Sequence, residues 1–168
     1  MFLIFHVALP LIFSEIPKIK KIFRSKILII IGALLPDLID KPLFLLGLGK
    51  GRGFSHSLLF IFILFLILFI SSKGNLEISL SLLLGMVFHL VLDLPDIPLF
   101  YPFISYNFLI LKDPIISWIT EFFTDPVAIL TEITGIGILI YILITHKLYH
   151  RSKFLEYLKG SPSILNQN

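Results

Sequence analysis

Residues 57–72 read SLLFIFILFLILFISS, a run with no charge, no glycine and no proline. A helix built from it has no polar face to offer water, so it must be buried on all sides or cross a bilayer. It falls a little short of the roughly 20 residues a spanning helix needs. Two more runs are of the same kind: residues 76–94, which stop at Pro95, and residues 126–145, which open on a proline suited to a first helical turn. Residues 27–48 are as apolar on average but contain Pro36, Asp37, Asp40, Lys41 and Pro42. They predict a broken helix whose freed backbone groups are buried in protein or face water, because lipid cannot satisfy them. Residues 2–13 form a fifth, shorter segment containing Pro10. Without a basic leading region or a small-residue cleavage site, it is read as part of the mature protein rather than a signal peptide.

Composition supports a membrane reading. At 57% hydrophobic and 15% charged residues the chain lies outside the range of soluble domains, and its mean hydropathy is +0.97. The expected fold class is all-α, a polytopic transmembrane helical bundle of four or five membrane segments with a broken second segment. Residues 1–159 form a single membrane-embedded domain, and residues 160–168 a polar tail. The absence of cysteine excludes disulfides, thiolate metal sites and cysteine nucleophiles. The net charge of +3 is carried by short basic clusters flanking apolar runs, a topology signal that argues against nucleic acid as partner.

Charge also gives an orientation. Lys18, Lys20, Lys21, Arg24, Lys26, Lys73, Lys147, Arg151, Lys153 and Lys159 fall in loops that alternating spans place on one side, and the positive-inside rule makes that side cytoplasmic. Lys41, Lys50, Arg52 and Lys112 remain outside. The aromatic stretch within residues 96–125 suits the membrane interface, and the basic residues 146–159 suit a juxtamembrane helix touching anionic lipid.

Ionisable residues inside apolar segments are costly unless paired, hydrated or bound to a cation, so each is a functional candidate. His89 and Asp93, in FHLVLD, are four apart and share one helical face. Gly85, one turn earlier, can admit a close neighbour. Asp37 and Asp40 follow Pro36, His56 stands at the head of the run 57–72 beside Arg52, Gly51 and Gly53, and His6 lies in the first segment. The charge-derived topology brings all six toward the outer ends of their segments. A lone His6 is more often a buried hydrogen-bonded residue, and Asp37 or Asp40 could simply pair with Lys41 or Arg52. Three histidines and three aspartates together exceed what packing needs, and a metal centre of imidazole and carboxylate accounts for them. Such ligands suit a divalent ion, zinc first and manganese or iron next, with one or two ions and an aspartate left as general base. A bound ion would activate water. Arg52 suits an anionic group such as phosphate, with Ser55 and Ser57 as further hydrogen-bond donors to substrate. Glu121, Asp125 and Glu132 are more distant acids, and Glu132 has no assigned role.

The ordered set His6, GALLPDLID, RGFSHSLL and GMVFHLVLDLPDIPLFYP resembles the membrane-bound metal-dependent hydrolases, also described as the LexA-binding, inner-membrane-associated hydrolases. The resemblance covers about residues 1–105. It implies metal ligation by His6, Asp37, Asp40, His56, His89 and Asp93, catalytic roles for Asp37, Asp40 and Arg52, and a multi-pass protein of the plasma or inner membrane with its site on the extracytoplasmic side. The family is distantly similar to zinc-dependent phospholipases C, which implies cleavage of a phosphoester of a lipid or lipid-linked substrate. The chain departs from the pattern at Asp37-Leu38-Ile39-Asp40-Lys41, where many relatives space the aspartates by two and follow them with histidine. The segment 100–108 is expected to shape the substrate's path. A metal-ion transporter and a noncatalytic membrane scaffold are the alternatives.

Overall fold

A computed structural model describes residues 3–48, 51–106 and 114–160. Among them are eight α-helices, one 3-10 turn and no strand: α1 (Leu3–Phe13), α2 (Pro17–Lys20), α3 (Lys26–Leu45), the turn Phe54–His56, α4 (Leu58–Ser71), α5 (Leu76–Leu92), α6 (Pro114–Thr124), α7 (Pro126–Thr145) and α8 (Arg151–Lys159). The all-α expectation holds. Lys50, Lys112, the end of the aromatic segment 100–108 and the tail beyond Gly160 lie outside the described residues, as does the side chain of Glu121.

Local chemistry sets where the apolar helices begin. Ser57 caps α4 by accepting from the Phe60 N–H at 3.2 Å, and Asn75 caps α5 by accepting from Ile78 N–H at 3.2 Å. Asp125 caps α7 through Val127 N–H at 2.9 Å, with Pro126 in the first turn. Each satisfies an N–H that the helix itself leaves unpaired. By length and composition, α7 alone among the described residues can cross a membrane; α1, α4 and α5 are apolar but shorter. Helix α3 has the length but carries Lys26, Asp37, Asp40 and Lys41.

The break expected in α3 does not occur. The helix runs continuously for 20 residues through Pro36 and Pro42. Pro36 lacks the N–H that would bond the Gly32 carbonyl, and tertiary partners hold the backbone on either side of the gap. Ala33 O accepts from His89 Nδ1 at 2.7 Å, and Pro36 O accepts from Ser55 Oγ at 2.9 Å.

Helices α3 and α5 form the central pair, and two glycines let their backbones touch. A Cβ on Gly85 would stand 2.2 Å from the Ile29 carbonyl oxygen, and one on Gly32 would stand 2.2 Å from that of Leu82. Small residues at such a crossing let the two backbones approach closely. On one side of the pair, Phe60 and Ile61 of α4 join Leu82, Met86 and Leu90 of α5 in a buried cluster. On the other, Leu11, Ile29, Leu84, Ile142 and Tyr157 tie α1, α3, α5, α7 and α8 together.

The polarity of this arrangement is inverted relative to a water-soluble bundle. Large apolar side chains such as Phe62, Ile67, Ile70, Leu130, Ile133 and Ile144 are exposed, while His6, Lys26, Asp37, His56, His89 and Glu132 are buried. Glu132, without a role in the sequence, has one here. Its two carboxylate oxygens accept from the backbone N–H groups of Ile4 and Phe5 at 3.1 Å each, capping the start of α1 from the side of α7. A carboxylate at a helix N-terminus also suits the helix dipole.

Two buried polar clusters occupy opposite ends of α3. At its start, Lys26 reaches Ser14 Oγ at 2.6 Å and Glu15 Oε1 at 2.9 Å, and Glu15 Oε2 faces Lys20 Nζ at 2.8 Å and His146 Nε2 at 3.2 Å. Burial works to raise the Glu15 pKa, but His146, Lys20 and Lys26 overcome it and hold the carboxyl well below the usual range. Tyr157 of α8 covers this cluster, its ring 5.8 Å from Lys26 Nζ. The second cluster lies eleven residues farther along α3, about 16 Å away at 1.5 Å per residue.

Candidate metal centre

The second cluster takes one or two side chains from each of four elements. Asp37 and Asp40 come from α3, His56 from the turn before α4, His89 and Asp93 from the end of α5, and His6 from α1. All six are buried. Contacts among their side chains bring the six together at one end of α3.

Four of them converge on a common point. Asp37, His56, His89 and Asp93 each offer a ligand atom, and these atoms lie within 4.8 Å of one another. His56 Nε2 and His89 Nε2 are 3.1 Å apart. From Asp37 Oδ1 the distances to the two nitrogens are 3.5 and 3.9 Å, and from Asp93 Oδ2 they are 3.7 and 3.6 Å. A tetrahedral ion with bonds of about 2.0–2.2 Å needs ligand separations of about 3.3–3.6 Å. The four atoms are therefore already close to that size.

The outer nitrogens decide what the inner ones can do. His89 Nδ1 meets the Ala33 carbonyl at 2.7 Å, and His56 Nδ1 meets Asp40 Oδ2 at 2.7 Å. A carbonyl and a carboxylate only accept, so both Nδ1 atoms carry a proton, and a neutral imidazole at either position turns an Nε2 lone pair inward. Two nitrogens 3.1 Å apart with two carboxylate oxygens beside them are held together by a shared proton or by a cation among them. Asp37, His56, His89 and Asp93 together could hold a metal ion.

Asp40 and His6 stand behind this set. Asp40 Oδ2, besides holding His56, accepts from Gly53 N–H at 2.6 Å. A Cβ at position 53 would lie 3.3 Å from Asp40 Oδ1, a tight contact that the glycine avoids. Asp40 thus orients a ligand instead of pointing into the group of four. His6 Nε2 lies 3.2 Å from Asp93 Oδ1, with its ring centroid 4.6 Å from that of His89. Such outer partners fix the tautomer and direction of the inner ligands.

The serines expected to meet substrate are turned inward. Ser55 Oγ donates to Pro36 O, and Ser57 Oγ donates to Phe54 O at 2.7 Å, and both residues are buried. They shape the His56 turn. Arg52 is different. Its half-exposed guanidinium donates to the Asp96 carbonyl at 3.2 Å and lies 3.9 Å from Asp93 Oδ1 at the edge of the centre.

A family model described as YdjM inner membrane protein matches residues 1–154, the stretch that carries every residue of this cluster. The chain belongs to the YdjM inner membrane protein family. The match bears out the inner-membrane family expected from the ordered motifs and carries no statement about a reaction. No curated protein and no solved structure matches the chain. In this YdjM family member, the motif residues His6, Asp37, Asp40, Arg52, His56, His89 and Asp93 meet in space, although 87 positions separate His6 from Asp93. The Nδ1 partner Ala33 had no signal in the sequence, because it acts through its backbone.

Proposed function

We propose that this protein is a membrane-embedded, metal-dependent hydrolase acting on a phosphoester of a lipid or lipid-linked substrate. The observation that carries the reading is the pair of imidazole Nε2 atoms facing each other beside two carboxylates at metal-ligand spacing, with both Nδ1 atoms committed elsewhere. His56, His89, Asp37 and Asp93 would hold one divalent ion. The chemistry such an ion supplies is activation of water and neutralisation of charge on phosphate. Asp40 and His6 keep His56 and Asp93 aimed, and Arg52 offers a fork of donors to an anionic group at the edge.

A substrate from the bilayer suits the surroundings. An open cleft of about 360 Å³ between α4 and α5, lined by Leu58, Ile61, Phe62, Phe65 and Leu83, begins two residues after His56 and has only apolar side chains. Exposed apolar helix faces around a buried polar centre support a multi-pass arrangement. The ten basic residues assigned to cytoplasmic loops support a centre on the extracytoplasmic side.

The test is metal analysis of detergent-purified protein together with hydrolysis of lipid phosphates. Wild type should carry a stoichiometric divalent ion and release headgroup or phosphate, and His89→Ala and Asp93→Ala should lose both properties. Unchanged metal content in both variants would sink the centre. Metal uptake into proteoliposomes without hydrolysis would make the protein a transporter instead.

A further inference from the structure

Each aspartate of the ligand set turns one oxygen to the centre, and a basic group meets the other. Asp93 Oδ1 faces His6 and, farther away, Arg52. Asp37 Oδ2 faces Lys41 Nζ at 2.5 Å, an i,i+4 pair on α3. The Lys41 side chain is 38% exposed, so its flexible stem could carry the ammonium into solvent. Instead the ammonium is folded onto a carboxylate that also belongs to the centre.

Charge makes this placement consequential. Asp37, Asp40, Asp93 and the exposed Asp96, 3.7 Å from Arg52, contribute four negative charges, and Lys41 and Arg52 contribute two positive ones. One divalent ion among neutral imidazoles therefore brings the group to neutrality. A second divalent ion would leave it with two positive charges. In two-ion sites the ions lie about 3.5–4 Å apart and share ligands. The outward oxygen of Asp37 is where such sharing would occur, and Lys41 covers it.

We propose that Lys41 limits the centre to a single divalent ion. Its ammonium takes Asp37 Oδ2, leaves that carboxylate to bind through Oδ1 alone, and repels both the bound ion and any second one. Lys41 is a positioning residue in this scheme, and the scheme rests on the metal-centre reading above.

The experiment uses the full chain in detergent with Zn²⁺ as probe. Stoichiometry is read by elemental analysis after desalting, and affinity by competition with a chromogenic chelator. Wild type should bind one ion per chain. Lys41→Arg, which keeps the charge on Asp37, should bind within about twofold of wild type. Lys41→Met should bind the first ion about tenfold more tightly, the direction expected when a like charge is removed, and should take up a second ion. Lys41→Gln repeats the comparison in case Lys41→Met does not fold. A merely structural ion pair predicts the opposite sign, because losing it loosens Asp37. Two ions in wild type, a single ion in both Lys41→Met and Lys41→Gln, or unchanged or weaker first-ion binding in them would overturn the proposal while leaving the metal centre standing. No ion in wild type would remove the centre and this inference with it.

Discussion

Replacing Asp40 by asparagine separates a residue that orients a ligand from one that binds the ion. In the structure a single oxygen, Asp40 Oδ2, accepts from both His56 Nδ1 at 2.7 Å and Gly53 N–H at 2.6 Å. The asparagine carbonyl oxygen can take its place and keep both bonds, so the change removes charge and little else. Hydrogen bonds to a charged partner contribute about 1.5–3 kcal/mol and neutral ones about 0.5–1.5. The bond to His56 then weakens by roughly 1–1.5 kcal/mol, which lowers Zn²⁺ affinity about tenfold. Asp37→Asn removes a charged ligand itself. If about 10–16 kcal/mol of zinc binding is spread over four ligands, one accounts for about 3 kcal/mol, on the order of a hundredfold. Chelator competition on the two variants and wild type reads the difference directly. Equal losses in Asp40→Asn and Asp37→Asn would refute the division of roles, as would an unaltered affinity in Asp40→Asn.

Three further outcomes follow from the packing. Gly85→Ala puts a methyl 2.2 Å from the Ile29 carbonyl oxygen, where backbone cannot yield cheaply, so thermal unfolding in detergent should show a loss of about 1–3 kcal/mol. Glu132→Leu strands the N–H groups of Ile4 and Phe5, at about 1–3 kcal/mol each, whereas Glu132→Gln can still accept from them through its carbonyl oxygen; the melting temperatures should rank wild type, Gln, Leu. Glu15 has a folded pKa below its unfolded value of about 4.3, so its contribution is fully present above that value and is lost as pH falls through the lower one. Glu15→Gln should therefore destabilise the protein at pH 7 and flatten the acid limb of its stability profile, and equal losses at pH 7 and in strong acid would count against the pairing.

Much of the site was legible because its chemistry is local. His89 and Asp93 share a face by helical spacing, and an ionisable residue in an apolar run announces itself. What each residue does once there was not legible. Spacing set Asp37 and Asp40 side by side, but whether an oxygen meets Nε2 or Nδ1 of an imidazole depends on how the His56 turn docks onto α3. The prolines of α3 misled for a related reason. Local rules predict a break, and the backbone is held intact by Ser55 and His89, which arrive from 19 and 56 positions away. Glu132 was unreadable because its partners are main-chain N–H groups at the other end of the sequence. Ser55 and Ser57 looked like donors for a substrate until their acceptors were found inside the fold.

The unequal helix lengths carry a consequence for the bilayer itself. Helix α7, with 20 residues, spans about 30 Å, while α4, with 14, spans about 21 Å. On the reading proposed above, one wall of the bundle matches the hydrocarbon thickness and the wall beside His56 falls about 9 Å short of it. Lipids against the short wall must thin or tilt to meet it. On the same reading, the headgroups on that side would be drawn down toward the level of Arg52 and the candidate centre. A lipid phosphate would then leave the interface by less than the depth of the centre suggests, because a short wall of this kind would lower the interface to meet it.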